Sequence, residues 1–135
     1  MSLATVLRSA AVVQLAIAIT NLFFVRIMRW QAEVGRMPLL VREVFRVHSF
    51  FITFTVAAFA VLTWRFAGEF AAGATPLHQW LSGAIALFWG TRAVMQWTAY
   101  SSSHWRGQVA PTAVHFALFF GYSAFAAGYA IAAIR

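Results

Sequence analysis

The chain has 135 residues, 62% of them hydrophobic and only 10% charged, where a soluble domain carries about 25% charged residues. Its ten basic residues are all Arg and its three acids all Glu, for a net charge of +7; with no Cys there is no disulfide, no thiolate metal site and no thiol chemistry. A nucleic-acid partner is excluded because the Arg residues flank apolar stretches instead of crowding one polar surface, and the length fits a single domain over residues 1–135.

A bilayer core of about 30 Å requires roughly 20 apolar residues in a helix. Four segments meet that demand, at about 3–25, 40–65, 77–99 and 111–134. The first, "LATVLRSAAVVQLAIAITNLFFV", is longer than the apolar part of a cleavable signal and precedes no soluble domain. Gln14 and Asn21 lie seven residues apart on it, hence on one face. An Arg-bearing connection, "RIMRWQAEVGRM", leads to the second span, where His48 and Thr55 repeat the seven-residue spacing. After "RFAGEFAAGATP" the third span carries His78, Ser82, Ile85, Trp89, Arg92, Gln96 and Tyr100, a series that advances by three or four residues throughout. The loop "SSSHWRGQVAP" precedes the fourth span, with His115, Tyr122 and Tyr129 at intervals of seven. Pro38, Pro76 and Pro111 each stand just before an expected helix, where a missing N–H does no harm.

Short connections between consecutive spans predict an all-α integral membrane protein, four transmembrane helices in an up-down-up-down, left-handed bundle. Polar residues inside a membrane avoid lipid, so the seven-residue stripes are expected to face a common interior. A second face of the last helix, Ala117, Gly121, Ala124, Gly128 and Ala132, is a ridge of small residues. Such ridges let backbones approach closely, and this one offers a surface for a homo- or hetero-oligomer. Orientation follows from Arg placement. Seven Arg (Arg26, Arg29, Arg36, Arg42, Arg46, Arg92 and Arg106) lie toward the first and third loops, against three (Arg8, Arg65 and Arg135) on the other side. We therefore expect a protein of the bacterial inner-membrane type with both termini non-cytoplasmic.

At about 1.5 Å per residue, Asn21, His48, Arg92, Gln96 and His115 share a layer near the cytoplasmic interface, with Trp89 and Tyr122 one layer deeper. Arg92 cannot discharge by losing a proton, and no span contains a carboxylate to neutralise it. A ligand oxygen, an amide or a backbone carbonyl is left as its partner. The expected site is thus Arg92, Gln96, Trp89, His48, His115, Asn21 and Tyr122. It would bind a lipophilic or anionic small molecule such as a lipid or a quinone-like head group, or serve a non-catalytic subunit of a larger membrane complex.

Two other readings use the same residues. His48 and His115, at matched depth on alternate helices, could be axial ligands of a b-type haem in electron transfer, with Arg46 and Arg92 at the propionates; in geometry this arrangement resembles membrane b-type cytochromes. Alternatively, Arg92 binds a lipid or isoprenoid head group while His48 or His115 acts as acid or base. The sequence offers little else for catalysis: no Asp, no Cys and no Gly-rich phosphate loop, while Ser101–Ser103 beside His104 reads as an ordinary turn.

Overall fold

The computed structural model describes all 135 residues and contains helices and no strand. In chain order these are α1 (Leu3–Leu22), two short helices α2 (Phe24–Ile27) and α3 (Gln31–Arg36), α4 (Leu39–Ala72), α5 (Pro76–Thr98), a 3-10 turn at Ser102–His104, and α6 (Val109–Ala133). Three of them, α1, α4 and α6, are long and apolar enough to cross a membrane. The third expected span, α5, has the length at 23 residues but not the apolarity, because it carries His78, Gln79, Arg92 and Gln96. Large apolar side chains cover the outside: Leu87 is 72% exposed, Phe120 64% and Val61 63%. An aqueous surface would not hold so many; a hydrocarbon one does.

The helix limits depart from the expected ones in two places. The first span was expected to run to 25, but α1 stops at Leu22, because the Phe23 amide bonds the Thr20 carbonyl in a tighter turn. A second stop follows α2. The Trp30 amide bonds the Val25 carbonyl, the Arg29 amide bonds the Arg26 carbonyl, and Arg29 takes φ +56°. This is a Schellman closure with Arg where Gly is usual.

The second span was expected to end at 65, but α4 continues to Ala72. The stretch "FAGEFAA" contains no Pro and is mostly good helix former. The backbone leaves helical geometry only at Phe66 (φ −114°, ψ 24°). Gly73 at φ +57° then ends α4, its amide on the Phe70 carbonyl and that of Ala74 on the Glu69 carbonyl. This is the same Schellman closure, here with the expected Gly.

The chain divides into two compact units, one formed by Arg8–Arg65 and the other by Met1–Leu7 with Phe66–Arg135. In α1 the buried residues Leu7, Ala11, Gln14 and Ala18 recur every three or four positions. In α4 the buried series is Val56, Ala60, Thr63, Ala67 and Phe70. Within Arg8–Arg65, α1 and α4 are joined by one polar clip. The Asn21 side-chain amide donates to the Ser49 carbonyl at 3.1 Å and to Thr53 Oγ1 at 2.7 Å, and Thr53 Oγ1 donates to the same carbonyl at 2.9 Å.

Candidate functional site

The unit containing Phe66–Arg135 is built on an antiparallel hairpin of α5 and α6, and the chemistry gathers there. Thr75 starts α5: its hydroxyl accepts from the His78 amide at 3.4 Å and meets His78 Nδ1 at 2.8 Å, with Pro76 at the first helical position. The His78 ring lies against Phe70 and Phe66, with centroids 5.6 Å and 6.0 Å away. His78 is thereby a helix-start residue, occupied locally.

Glycines set the distance between the two helices. A Cβ placed on Gly83 would lie 3.8 Å from the Ala133 Cβ, and one on Gly90 3.8 Å from the Ala126 Cβ. The two glycines are seven residues apart, as are the two alanines opposite, so one heptad repeat spaces the hairpin on both sides. The buried face of α5 is Ser82, Ile85, Trp89, Ala93 and Gln96; that of α6 is His115, Tyr122, Phe125, Gly128, Tyr129 and Ala132. Of the polar stripes read from the sequence, Ser82, Ile85, Trp89 and Gln96 on α5 and His115, Tyr122 and Tyr129 on α6 face inward, whereas His78 and Arg92 are half-buried and Tyr100 is exposed.

Two clusters form between the helices. In the first, Trp89 stacks on Tyr122, centroids 5.3 Å apart and planes 20° from parallel, with Phe125 tilted against the indole at 4.9 Å. The Arg92 guanidinium carbon lies 4.9 Å above the Tyr122 ring and 5.7 Å from the Tyr100 ring, and Nη2 donates to the Tyr100 hydroxyl at 3.4 Å. Arg92 is thus held by aromatic faces, each contact worth roughly 0.5–2 kcal/mol depending on desolvation. Its own side is half-buried and borders a groove of about 400 Å³ lined by Ala84, Leu87, Phe88, Thr91, Arg92 and Met95. That is the lower part of the range for small-molecule sites, roughly 300–1,000 Å³. All six lining residues belong to α5, and the groove is apolar except at Thr91 and Arg92.

The second cluster surrounds His115, which is 4% exposed. Gln96 Nε2 lies 3.2 Å from His115 Nδ1. The Trp105 indole stacks on the imidazole at 4.4 Å and 12°, and Trp97 and Phe116 approach it at 5.7 Å and 5.4 Å. Three buried polar atoms here find no partner in the chain: Gln96 Oε1, His115 Nε2 and Trp105 Nε1. With Gln96 donating to Nδ1, the His115 proton sits on Nε2; the pair then presents one acceptor and one donor, and the flipped amide presents the converse. Buried groups left unbonded cost about 1–3 kcal/mol each. Ser82 Oγ is a further buried atom without a partner.

Of the residues expected to form one site, the hairpin brings together Trp89, Arg92 and Tyr122 in one cluster and Gln96 with His115 in the other. Arg92 and Gln96, one turn apart, point to different neighbours. Asn21 belongs to the Arg8–Arg65 unit, with its amide engaged in the clip with Ser49 and Thr53. His48 belongs to the same unit and is exposed, one residue away from the inward-facing Ser49. No group of three or more His, Cys, Asp or Glu is close enough to hold a metal ion. On the ridge of α6, Gly128 meets Leu7, with 4.0 Å from a placed Cβ to Leu7 Cδ2. Ala117 and Ala124 are exposed, and Gly121 looks onto open space.

Sequence reasoning missed Tyr100 and Trp105 as partners of Arg92 and His115. Tyr100 closed the periodic series of the third span but was given no partner there, and Trp105 lies in the following loop, outside the helical periodicity that marked the rest. It also missed Gly83 and Gly90, whose shared spacing of seven was visible. No protein-family model, no curated protein and no solved structure matches the chain.

Proposed function

We propose that this chain is a four-span, non-catalytic membrane protein whose α5–α6 hairpin binds an anionic amphiphile, with the acidic head on Arg92 and the apolar tail along the groove. One observation carries the reading: a guanidinium resting on two tyrosine rings, without a carboxylate, at the end of an apolar groove. Apart from the Nη2 bond to the Tyr100 hydroxyl, cation–π contacts leave the edge N–H groups of the fork available for an oxyanion. Glu33, Glu43 and Glu69 are the only acids of the chain, and none lies on α5 or α6.

A fourth span is supported by the way α5 conceals its polarity. Ser82 and Gln96 turn toward α6, whereas Leu87, Val94 and Met95 turn outward. At 23 residues, α5 is about 34 Å long at 1.5 Å per residue, enough for a hydrocarbon core of about 30 Å. Antiparallel to a spanning α6, it lies at the same depth. An up-down-up-down order with both termini non-cytoplasmic follows the seven-to-three division of Arg.

The test is lipid binding by native mass spectrometry and thermal shift in neutral detergent. A fatty acid or a phosphatidic acid should bind and stabilise the protein, and a phosphatidylcholine of the same chains should not. Arg92→Lys should weaken binding almost as much as Arg92→Gln, because an ammonium lacks the planar fork. Equal binding of the neutral lipid, or full binding by Arg92→Lys, would overturn the reading.

A role as subunit of a membrane complex is favoured by the exposed face of Ala117, Gly121 and Ala124 on α6. Gly121→Leu should then reduce the oligomeric mass in detergent; an unchanged mass rejects that face as the contact.

A further inference from the structure

We propose that Arg36, Arg42 and Arg46 form a seat for the phosphodiester head group of an anionic phospholipid, at the membrane surface where α3 meets the start of α4. The seat lies within the Arg8–Arg65 unit and is separate from the Arg92 groove. One contact brings the three positions to a common corner. Arg42 Nη1 donates to the Gly35 carbonyl at 3.2 Å, so the last turn of α3 rests on the first turn of α4. Arg36 is the residue after Gly35, and Arg46 follows Arg42 by four, on the same face of α4.

Several contacts fix this corner. Trp30 stands edge-on to Phe24 with ring centroids 5.1 Å apart, Val34 is buried, the Met37 amide bonds the Val34 carbonyl, and the Arg42 amide bonds the Pro38 carbonyl. Positive charge is left over there. None of the three Arg pairs with a carboxylate, although Glu33 and Glu43 are near in sequence. Arg42 is half-buried and its Nε–H is buried and unbonded, so its charge lies partly out of water; an anion beside it offsets that cost. Arg36 and Arg46 are exposed with their forks unengaged, and such forks match phosphate oxygens in pairs.

Depth selects a lipid as the source of the phosphate. Residues 47–64 of α4 carry no Arg or Glu, and at 1.5 Å each they cover about 27 Å, close to a hydrocarbon core of about 30 Å. Arg46 then stands at the edge of the hydrocarbon and Arg42 one turn beyond it, in the layer of the phosphates. Leu39, Leu40 and Val41 beside them are exposed, which suits acyl chains and not water. Basic clusters next to a span attract anionic lipid by charge alone. Here the bond to Gly35 adds a fixed geometry, so the position of each Arg counts as well as its charge.

The experiment is native mass spectrometry of the full chain carrying Arg92→Gln, titrated in neutral detergent with phosphatidylglycerol and with phosphatidylcholine of the same acyl chains. Arg92→Gln removes the anchor of the groove, so the outcome is independent of the reading given above. Phosphatidylglycerol should bind several-fold tighter than phosphatidylcholine. Adding Arg36→Gln with Arg46→Gln should weaken it by roughly twentyfold, about fivefold for each Arg. Arg42→Lys keeps the charge but loses the planar fork and should weaken it several-fold. Arg26→Gln with Arg106→Gln removes the same charge from two other exposed Arg and should leave it unchanged, as should soluble glycerol phosphate added as competitor. Circular dichroism establishes that each variant is folded. Phosphatidylglycerol binding no tighter than phosphatidylcholine, equal losses in the two paired variants, native affinity in Arg42→Lys, or displacement by glycerol phosphate overturns the proposal.

Discussion

Substituting Gly90 tests the spacing on which both clusters of the hairpin rest. A Cβ at this position would lie 3.8 Å from the Ala126 Cβ, an ordinary van der Waals contact. Gly90→Ala therefore fits without movement and gains the helix propensity that Gly lacks, up to about 1 kcal/mol. Gly90→Leu adds a branched carbon about 1.5 Å beyond that Cβ, toward a wall already in contact, so α5 and α6 must part. Overpacking of this kind costs typically 1–3 kcal/mol. Leucine recovers nearly the same propensity, so the two variants should differ by the overpacking alone, about 1–3 kcal/mol, with Gly90→Ala the more stable. Reversible unfolding in mixed micelles of SDS and a neutral detergent, followed by circular dichroism, measures both. Gly68→Leu supplies the control for stability, because Gly68 is exposed within α4 and nothing lies within 4 Å of a Cβ there. The register would be refuted by Gly90→Ala destabilising by more than about 1 kcal/mol, or by Gly90→Leu being as stable as Gly90→Ala.

Asn21→Leu should destabilise by about 0.6–1.7 kcal/mol, the range for interhelical hydrogen bonds in membranes, and Thr53→Val should add less than its separate effect, since both belong to one clip; the same micelle unfolding reports the cycle. Arg29→Gly should stabilise by about 1 kcal/mol, because Arg29 stands at φ +56° where a side chain is unfavourable; an unchanged midpoint would argue that Arg29 contributes a compensating contact. Gly73→Ala should destabilise by at least about 1–2 kcal/mol, its φ of +57° being unfavourable and its Cβ falling 2.6 Å from the Arg135 carbonyl carbon. A fall in thermal midpoint measures it.

How much of this was legible depended on which residues mark a face. On α5 the inward face contains Ser82, Trp89 and Gln96, and on α6 it contains His115, Tyr122 and Tyr129; polar and aromatic tips at regular spacing made both visible. On α4 the inward face is Val56, Ala60, Thr63 and Ala67, mostly the same small and aliphatic types found outside. Hydrocarbon does not sort such residues, and the seven-residue pair His48 and Thr55 pointed one residue away from the true stripe. For Arg92, the lack of acids in the spans left an amide, a backbone carbonyl or a ligand oxygen as the expected partner. That two tyrosine rings would flank it was not read, because Tyr100 lies beyond the end of α5 at Thr98 and its ring returns to Arg92 only in three dimensions. The extension of α4 to Ala72 was missed because Gly68 and Glu69 looked like loop composition, whereas the stop signal lay at Gly73.

The matched spacing of Gly83 and Gly90 with Ala126 and Ala133 also bears on biogenesis. Taken alone, α5 is a poor substrate for the insertion machinery, since it carries His78, Gln79, Arg92 and Gln96 and falls short of the apolarity of the other three long helices. Its polar face is shielded only once α6 lies beside it. On the four-span reading, α5 must therefore linger at the translocon until α6 has been synthesised, and the two enter the bilayer together as a preassembled hairpin. The glycines and alanines, by closing that hairpin early, serve the order in which the protein is made as well as the shape it reaches.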